Sequence, residues 1–183
     1  MKITIESKHI LLVLHIISWI LFIGLCIEAC GFLVGIVLTF YIPLEATYMH
    51  HQVDLSGLYQ FDRGYFYVQT GFISGVAIMR ALLFYLIVRI LYDRKVNLDQ
   101  PFSPDMARFI SKVGYLSLFI ALFSGWGAQY SAGFAGLGVP MPDLELQRLG
   151  GSDVWAFMGV TLLVIAQLFK RGIEMQAENE LTI

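Results

Sequence analysis

Four stretches of this chain are too long and too apolar to be held in water, and they decide what it can fold into. Residues about 10–42, 66–92, 110–139 and 154–169 each carry an almost unbroken apolar run. A hydrocarbon core is crossed by roughly 20 such residues in a helix. Backbone groups in lipid find no water to bond, so each crossing segment must satisfy its own amides and carbonyls, which a helix does. The expected fold is all-α: a polytopic integral membrane protein with one membrane domain over 1–183, built as a four-transmembrane-helix bundle. The first run is over-long and should tilt or project. The fourth is short and ends where Lys170 and Arg171 can snorkel to the interface.

Composition agrees. Hydrophobic residues make up 57% of the chain and charged residues 14%, against roughly 45–50% and about 25% in soluble domains. A small soluble fold has too little interior to hide that excess. The formal net charge of −2 gives no reason to expect nucleic acid or an acidic substrate. The basic start, with Lys2 and Lys8, resembles a secretion leader, but the apolar run continues to about Ile42, far beyond roughly 7–15 residues. Glu28 also sits badly in Ile27-Glu28-Ala29-Cys30 as a lipoprotein cleavage box, so the first span is expected to stay uncleaved.

Basic residues set the orientation. Lys2, Lys8, Arg89, Arg94, Lys95, Arg108, Lys112, Lys170 and Arg171, nine of the twelve Lys and Arg residues, fall on one side of a four-span chain. Arg63 and Arg148 lie in the other two connections and Arg80 within a span. Both termini are therefore expected in the cytoplasm. The outward loops are 43–65 and 140–153, the inward loop 93–109 and the cytoplasmic tail 170–183. The first outward loop holds Tyr48, His50, His51, Tyr59, Phe61 and Tyr65, the makings of an interfacial aromatic belt. Pro140, Pro142 and the Gly150-Gly151 pair make the second a short outward loop, with Ser152 or Asp153 capping the fourth helix. Ser103-Pro104-Asp105 is a strong helix start, running through Phe109 and Ile110 into the third span.

Small residues at spacings of three and four let membrane helices approach closely. The stripes are Gly24, Glu28, Gly31 and Gly35 in the first span; Ala121, Gly125, Ala128, Ala132 and Ala135 in the third; and Ala156, Gly159, Leu163 and Ala166 in the fourth. Such seven-residue patterns suit left-handed packing. Glu28 lies on its stripe and should face protein. Arg80 lies near the middle of the second span, with a depth difference of about 9 Å at 1.5 Å per residue. An isolated charge at the bilayer centre costs at least roughly 2.5–3.5 kcal/mol, so a Glu28–Arg80 ion pair, or a polar cluster including both, is expected. Gln69 and Thr70 lie on nearby faces. The pair serves either as a register-fixing contact or as part of a proton path.

Other chemistry is poorly supported. Cys26 and Cys30 lie one helical turn apart within lipid, unlike an accessible Cys-x-x-Cys redox pair, and read as buried, inert thiols. The histidines His9, His15, His50 and His51 cannot meet across spans to hold haem. A metal site of His50, His51 and Asp54 has only adjacent histidines to commend it. No phosphate-binding glycine loop or nucleophile elbow is present. The expectation is no enzyme, no cofactor and no metal, with lipid as the first partner and anionic lipid touching the basic side.

Two motifs carry a resemblance. Gln100-Pro101-Phe102-Ser103-Pro104, with Gly114 at the start of the third span, is one. The other is Phe169-Lys170-Arg171-Gly172-Ile173-Glu174, continuing through Glu178-Asn179-Glu180-Leu181-Thr182-Ile183. Over roughly the last 85 residues the chain resembles the YoaS-like family of small bacterial four-span membrane proteins. Family members often have lysine where Gln100 stands and aspartate where Glu180 stands. The resemblance implies no enzymatic activity and a bacterial cytoplasmic (inner) membrane location. It also implies a companion, a small helix-turn-helix transcription regulator. Lys170, Arg171, Glu174, Glu178 and Asn179, on a helix continuing into the cytoplasm, are the candidate contact residues. The leading expectation is a membrane sensor or anchor for such a regulator, without direct nucleic-acid binding. The alternative is a small transporter or proton-coupled permease subunit using Glu28 and Arg80; self-association of copies stays open.

Overall fold

The computed structural model describes residues 7–42, 53–93 and 102–180. Helix α1 covers Ser7–Thr39, α2 Ser56–Phe61, α3 Arg63–Tyr92, α4 Pro104–Gly136 and α5 Ser152–Glu180, and no strand occurs among the described residues. Four of them, α1, α3, α4 and α5, are long and apolar enough to cross a membrane. Of the residues that the sequence singles out, Lys2, His50, His51, Arg94, Lys95, Gln100, Pro101 and Leu181 to Ile183 lie outside the described residues, as do the side chains of Lys8, Asn179 and Glu180.

The helix starts follow local chemistry. Ser103 Oγ accepts from the Met106 amide at 3.3 Å, with Pro104 at the first helical position and Asp105 in the first turn. Each relieves one of the unpaired amides or favours the positive helix end. Asp62 plays the same part for α3, accepting from the Tyr65 amide at 3.1 Å. Helix α5 enters from Gly151, whose carbonyl takes the first bond of the helix. The Gly151 carbonyl accepts from Trp155 N at 3.1 Å, and Gly151 sits at φ +74, where a glycine is favoured.

The helices pack in a row, α1 on α3, α3 on α4 and α4 on α5. Neighbours are antiparallel. Phe40 stacks on Tyr67 while Phe22 meets Tyr85; Tyr65 meets Tyr130 while Phe72 meets Phe123. Gly125 faces Ser152 while Gly114 faces Leu163. One end of the bundle therefore carries Arg89, Arg108, Lys112, Lys170 and Arg171, and the other carries α2 and the 137–151 connection.

The α4–α5 seam shows why small residues matter. A Cβ on Gly159 would lie 3.0 Å from the Gly114 carbonyl oxygen and 2.7 Å from Leu118 Cδ2. Backbones can come this close only where no side chain intervenes. The α5 stripe of Ala156, Gly159, Leu163 and Ala166 lies on this face, with Gly159 and Ala166 buried. The α4 stripe runs differently from expectation: Ala132 and Ala135 are exposed. The buried small residues are Ala107, Gly114, Ser117, Ala121, Ser124, Gly127 and Ser131. Serine serves as well as alanine here, because Ser117 bonds its own helix at the Val113 carbonyl and hides its hydroxyl. On α1 the packed residues are Ser18, Ala29, Phe32 and Thr39, and Gly24 is exposed.

The α4–α5 connection does more than join two helices: most of its residues are exposed, but part of it is built into the bundle. Gln147 and Leu149 are fully buried, and Ser152 lies beside Gly125, about 16 Å short of the α4 end at 1.5 Å per residue. The chain turns at Gly138 (φ +80) and folds back into the bundle before α5 begins. Non-helical backbone at this depth is tolerated only when protein groups satisfy it. Here Gln147 Nε2 donates to the Pro142 carbonyl at 2.7 Å and to Ser131 Oγ at 2.8 Å. Gln69 Nε2 donates to Gln147 Oε1 at 2.5 Å and to the Gly127 carbonyl at 3.3 Å. Ser124 Oγ donates to the Leu149 carbonyl at 2.5 Å. Nearby, α2 plugs the same end through fully buried Leu58. Gly57 sits so close to Pro140 that a Cβ would lie 2.5 Å from the proline ring. Tyr59 and Tyr65 meet Phe66, Tyr130 and Phe134 edge-on or tilted, so these rings belong to the end of the bundle as much as to an interface.

Candidate functional site

Folding the 137–151 connection inward brings Arg148 to Glu28. Arg148 Nε lies 2.7 Å from Glu28 Oε1. Arg148 holds φ 60, a left-handed conformation that a non-glycine residue adopts at some cost. The direct Glu28–Arg80 ion pair expected from the sequence is not formed; Glu28 is taken by Arg148. The reason is geometric: the connection folds back and supplies an arginine at the depth of Glu28. Arg80 nevertheless belongs to the same cluster, within electrostatic reach of both Glu28 and Arg148 and largely withdrawn from water. Its guanidinium carbon lies 5.5 Å from the centre of the Trp155 ring, in the first turn of α5. Its Nε is buried without a hydrogen-bond partner. A cation over an indole gains roughly 0.5–2 kcal/mol, less than the roughly 2.5–3.5 kcal/mol that an isolated charge costs in mid-bilayer.

Gln69 belongs to the buried amide network, and Thr70 bonds the Phe66 carbonyl of its own helix at 2.7 Å. Neither joins the charge cluster by a hydrogen bond. Arg148, Trp155 and Gln147 are the residues that spacing alone does not pick out. The one signal for them is Leu144-Glu145-Leu146-Gln147-Arg148-Leu149, where polar groups alternate with leucines between proline and glycine brackets.

At the basic end the two resemblance motifs touch each other. Phe102 lies 5.3 Å ring to ring from Phe169. A Cβ on Gly172 would come 2.6 Å from Phe102 Cδ1. Glycine at 172 thus seats the aromatic that precedes the α4 cap. Beyond this clasp α5 continues to Glu180 with Lys170, Arg171, Glu174 and Glu178 exposed. Arg171 and Glu174 pair at 2.9 Å across one turn. A cavity of about 240 Å³ opens at the same end between α3 and α4. Its charges are largely matched, Arg89 with Asp93 at 3.9 Å and Arg108 with Asp105 at 2.5 Å.

Cys26 and Cys30 are free thiols, and Cys30 is exposed on α1, so burial in protein is not what shields it. Trp19 donates its indole N–H to His15 Nε2 at 3.2 Å, within α1. Asp54 accepts from the Ser56 amide at 2.9 Å and opens α2. No group of three or more metal-ligating side chains occurs among the described residues.

Four apolar helices packed in one row, each long enough to cross a bilayer, define a multi-pass integral membrane protein. Comparison with known families then places it. Residues 51–183 match the model of the family described as "Protein of unknown function (DUF2975)", and the chain belongs to that family. No curated protein and no solved structure matches the chain.

Proposed function

We propose that the protein is a non-enzymatic sensor or anchor of the bacterial inner membrane that holds a small helix-turn-helix DNA-binding regulator at its cytoplasmic face. In this reading both termini are cytoplasmic, and kinship with the YoaS-like proteins is part of the proposal. The observation that carries it is the C-terminal part of α5, a charged, exposed helix continuing past the Phe102–Gly172 clasp to Glu180. Glu174 and Glu178 lie one turn apart there and offer an acidic stripe to a basic partner, with Lys170 and Arg171 preceding it and Asn179 following in the chain. The clasp makes the stripe's direction depend on the bundle, which is what a signal passing from membrane to regulator needs. The test removes residues 174–183 and follows the regulator in membrane fractions together with transcription of its targets. Loss of the regulator from membranes that still hold the truncated protein supports the reading. Unchanged retention and transcription refute it.

A second reading, a small transporter or proton-coupled permease subunit, draws on different features: Glu28, Arg80 and Arg148 inside the bundle and a non-helical segment beside them. Interrupted backbone and internal charges recur at transport sites. Flux in liposomes that is lost with Glu28→Gln favours this reading; equal flux with and without protein opposes it.

A further inference from the structure

The charge cluster is incomplete as it stands. Two guanidiniums and one carboxylate meet there, and the carboxylate of Glu28 is engaged by Arg148 at 2.7 Å. Among the described residues no carboxylate lies within ion-pair distance of Arg80, and its Nε is buried without a partner there. Asp153, two residues before Trp155 at the start of α5, is exposed and pairs with neither arginine. An unpaired cation inside a bundle is costly and makes its site a candidate for binding.

Access to this cluster follows from the helix order. Helices α1 and α5 flank the α3–α4 pair and make no substantial contact with each other. Glu28 comes from α1, Arg80 from α3, and Arg148 and Trp155 from the start of α5 and the residues before it. The cluster therefore sits in the fork between the two flanking helices. Beside the cluster the exposed surface is apolar, with Ile27 next to Glu28 on α1 and Val154 next to Trp155 on α5. A guanidinium is a flat fork of donors that fits carboxylate or phosphate oxygens in pairs. The N-terminal end of α5 adds a positive field from the side of Trp155.

We propose that Arg80, backed by Trp155 and Arg148, binds the anionic carboxylate or phosphate head of a membrane amphiphile whose chain lies in the fork between α1 and α5. The site is independent of any regulator at the tail. It supplies the class of ligand that a membrane sensor with this fold would read.

The test uses the full chain in phosphatidylcholine nanodiscs, with Trp19→Phe and Trp126→Phe leaving Trp155 as the reporting indole of the three in the chain. Oleate, oleyl alcohol, phosphatidylglycerol and inorganic phosphate are titrated separately while Trp155 emission is followed. The expected result is a saturable change with oleate or phosphatidylglycerol, none with oleyl alcohol, and at least tenfold weaker binding in Arg80→Gln. Lys112→Gln, at the far end of the bundle, should bind like the parent. A response to inorganic phosphate alone that is weakened in Arg80→Gln keeps the anion site but assigns it to a free anion. Arg80→Lys keeps the charge and loses the fork; it should bind several-fold more weakly, and it serves if Arg80→Gln does not assemble. Equal responses to oleate and oleyl alcohol, no response to any anion, or arginine variants that titrate like the parent would overturn the proposal.

Discussion

Arg148 and Glu28, separated by most of the sequence, are joined at 2.7 Å because the α4–α5 connection descends into the bundle to meet α1. Helices α1 and α5 otherwise make no substantial contact with each other. The pair therefore ties the two flanks of the row together.

Breaking this tie should be measurable but moderate. The Glu28 side chain is 27% exposed and that of Arg148 56%, so the penalty of roughly 3–5 kcal/mol for a fully buried broken pair has to be discounted strongly. Glu28→Gln is expected to lower stability by about 1–2 kcal/mol. A Glu28→Gln/Arg148→Gln cycle should show that most of this loss is shared. Thermal unfolding in detergent checks both values. At φ 60, Arg148→Gly should cost less than Arg148→Ala, by about 1 kcal/mol, because glycine holds that conformation without strain.

Gln147 is the hub that satisfies the buried connection. Gln147→Leu keeps the bulk but strands the Pro142 carbonyl, Ser131 Oγ and one donor of Gln69. Each unsatisfied buried group costs about 1–3 kcal/mol. The expected outcome is a lower melting temperature and faster amide exchange across 139–151, with the helices still formed by circular dichroism. Unchanged exchange there would contradict the network.

Gly159 and Gly114 set the α4–α5 distance. Gly159→Val would drive a side chain against the Gly114 carbonyl and Leu118, a cost of about 1–3 kcal/mol for overpacking. Gly133→Val, where a Cβ meets nothing within 4 Å, is the matched control and should leave the melt nearly unchanged.

Asp54 gives α2 a dependence on pH. The side-chain and backbone hydrogen bonds from Ser56 hold its carboxyl below the ordinary carboxylate range. A lowered folded-state value means the stabilisation is complete above the ordinary value, about 3.9. It is lost as pH falls through the lower, folded value. Amide protection over Ser56–Phe61, corrected for intrinsic exchange, should therefore fall below about pH 4 in the parent. Asp54→Asn should show no such step.

How much of this was legible in the sequence depends on where the determining forces lie. The four long helices were readable because each apolar run satisfies its own backbone in lipid, so hydropathy alone locates it. The α4 start was equally plain, since Ser103, Pro104 and Asp105 act within one turn. The partner of Glu28 was not. Proline and glycine mark 140–151 as loop, but whether a loop lies on the surface or inside depends on groups elsewhere. Here these are Gln69 on α3 and Ser124 and Ser131 on α4. For the same reason, the alanines at 132 and 135 suggest a packing face that the serines at 117, 124 and 131 occupy instead. Periodicity states that a face exists; the choice between neighbouring registers is made by the helix opposite.

The most direct test of four membrane crossings is labelling of single cysteines in intact cells by a membrane-impermeant maleimide. Cys26 and Cys30 are first replaced by alanine, and one cysteine is then placed at Lys2, Glu178 or Pro140. With both termini cytoplasmic, Pro140→Cys reacts in intact cells, whereas Lys2→Cys and Glu178→Cys react only after permeabilisation. Labelling of Lys2→Cys and Glu178→Cys from opposite sides of the membrane would contradict an even number of crossings and remove the cytoplasmic docking surface.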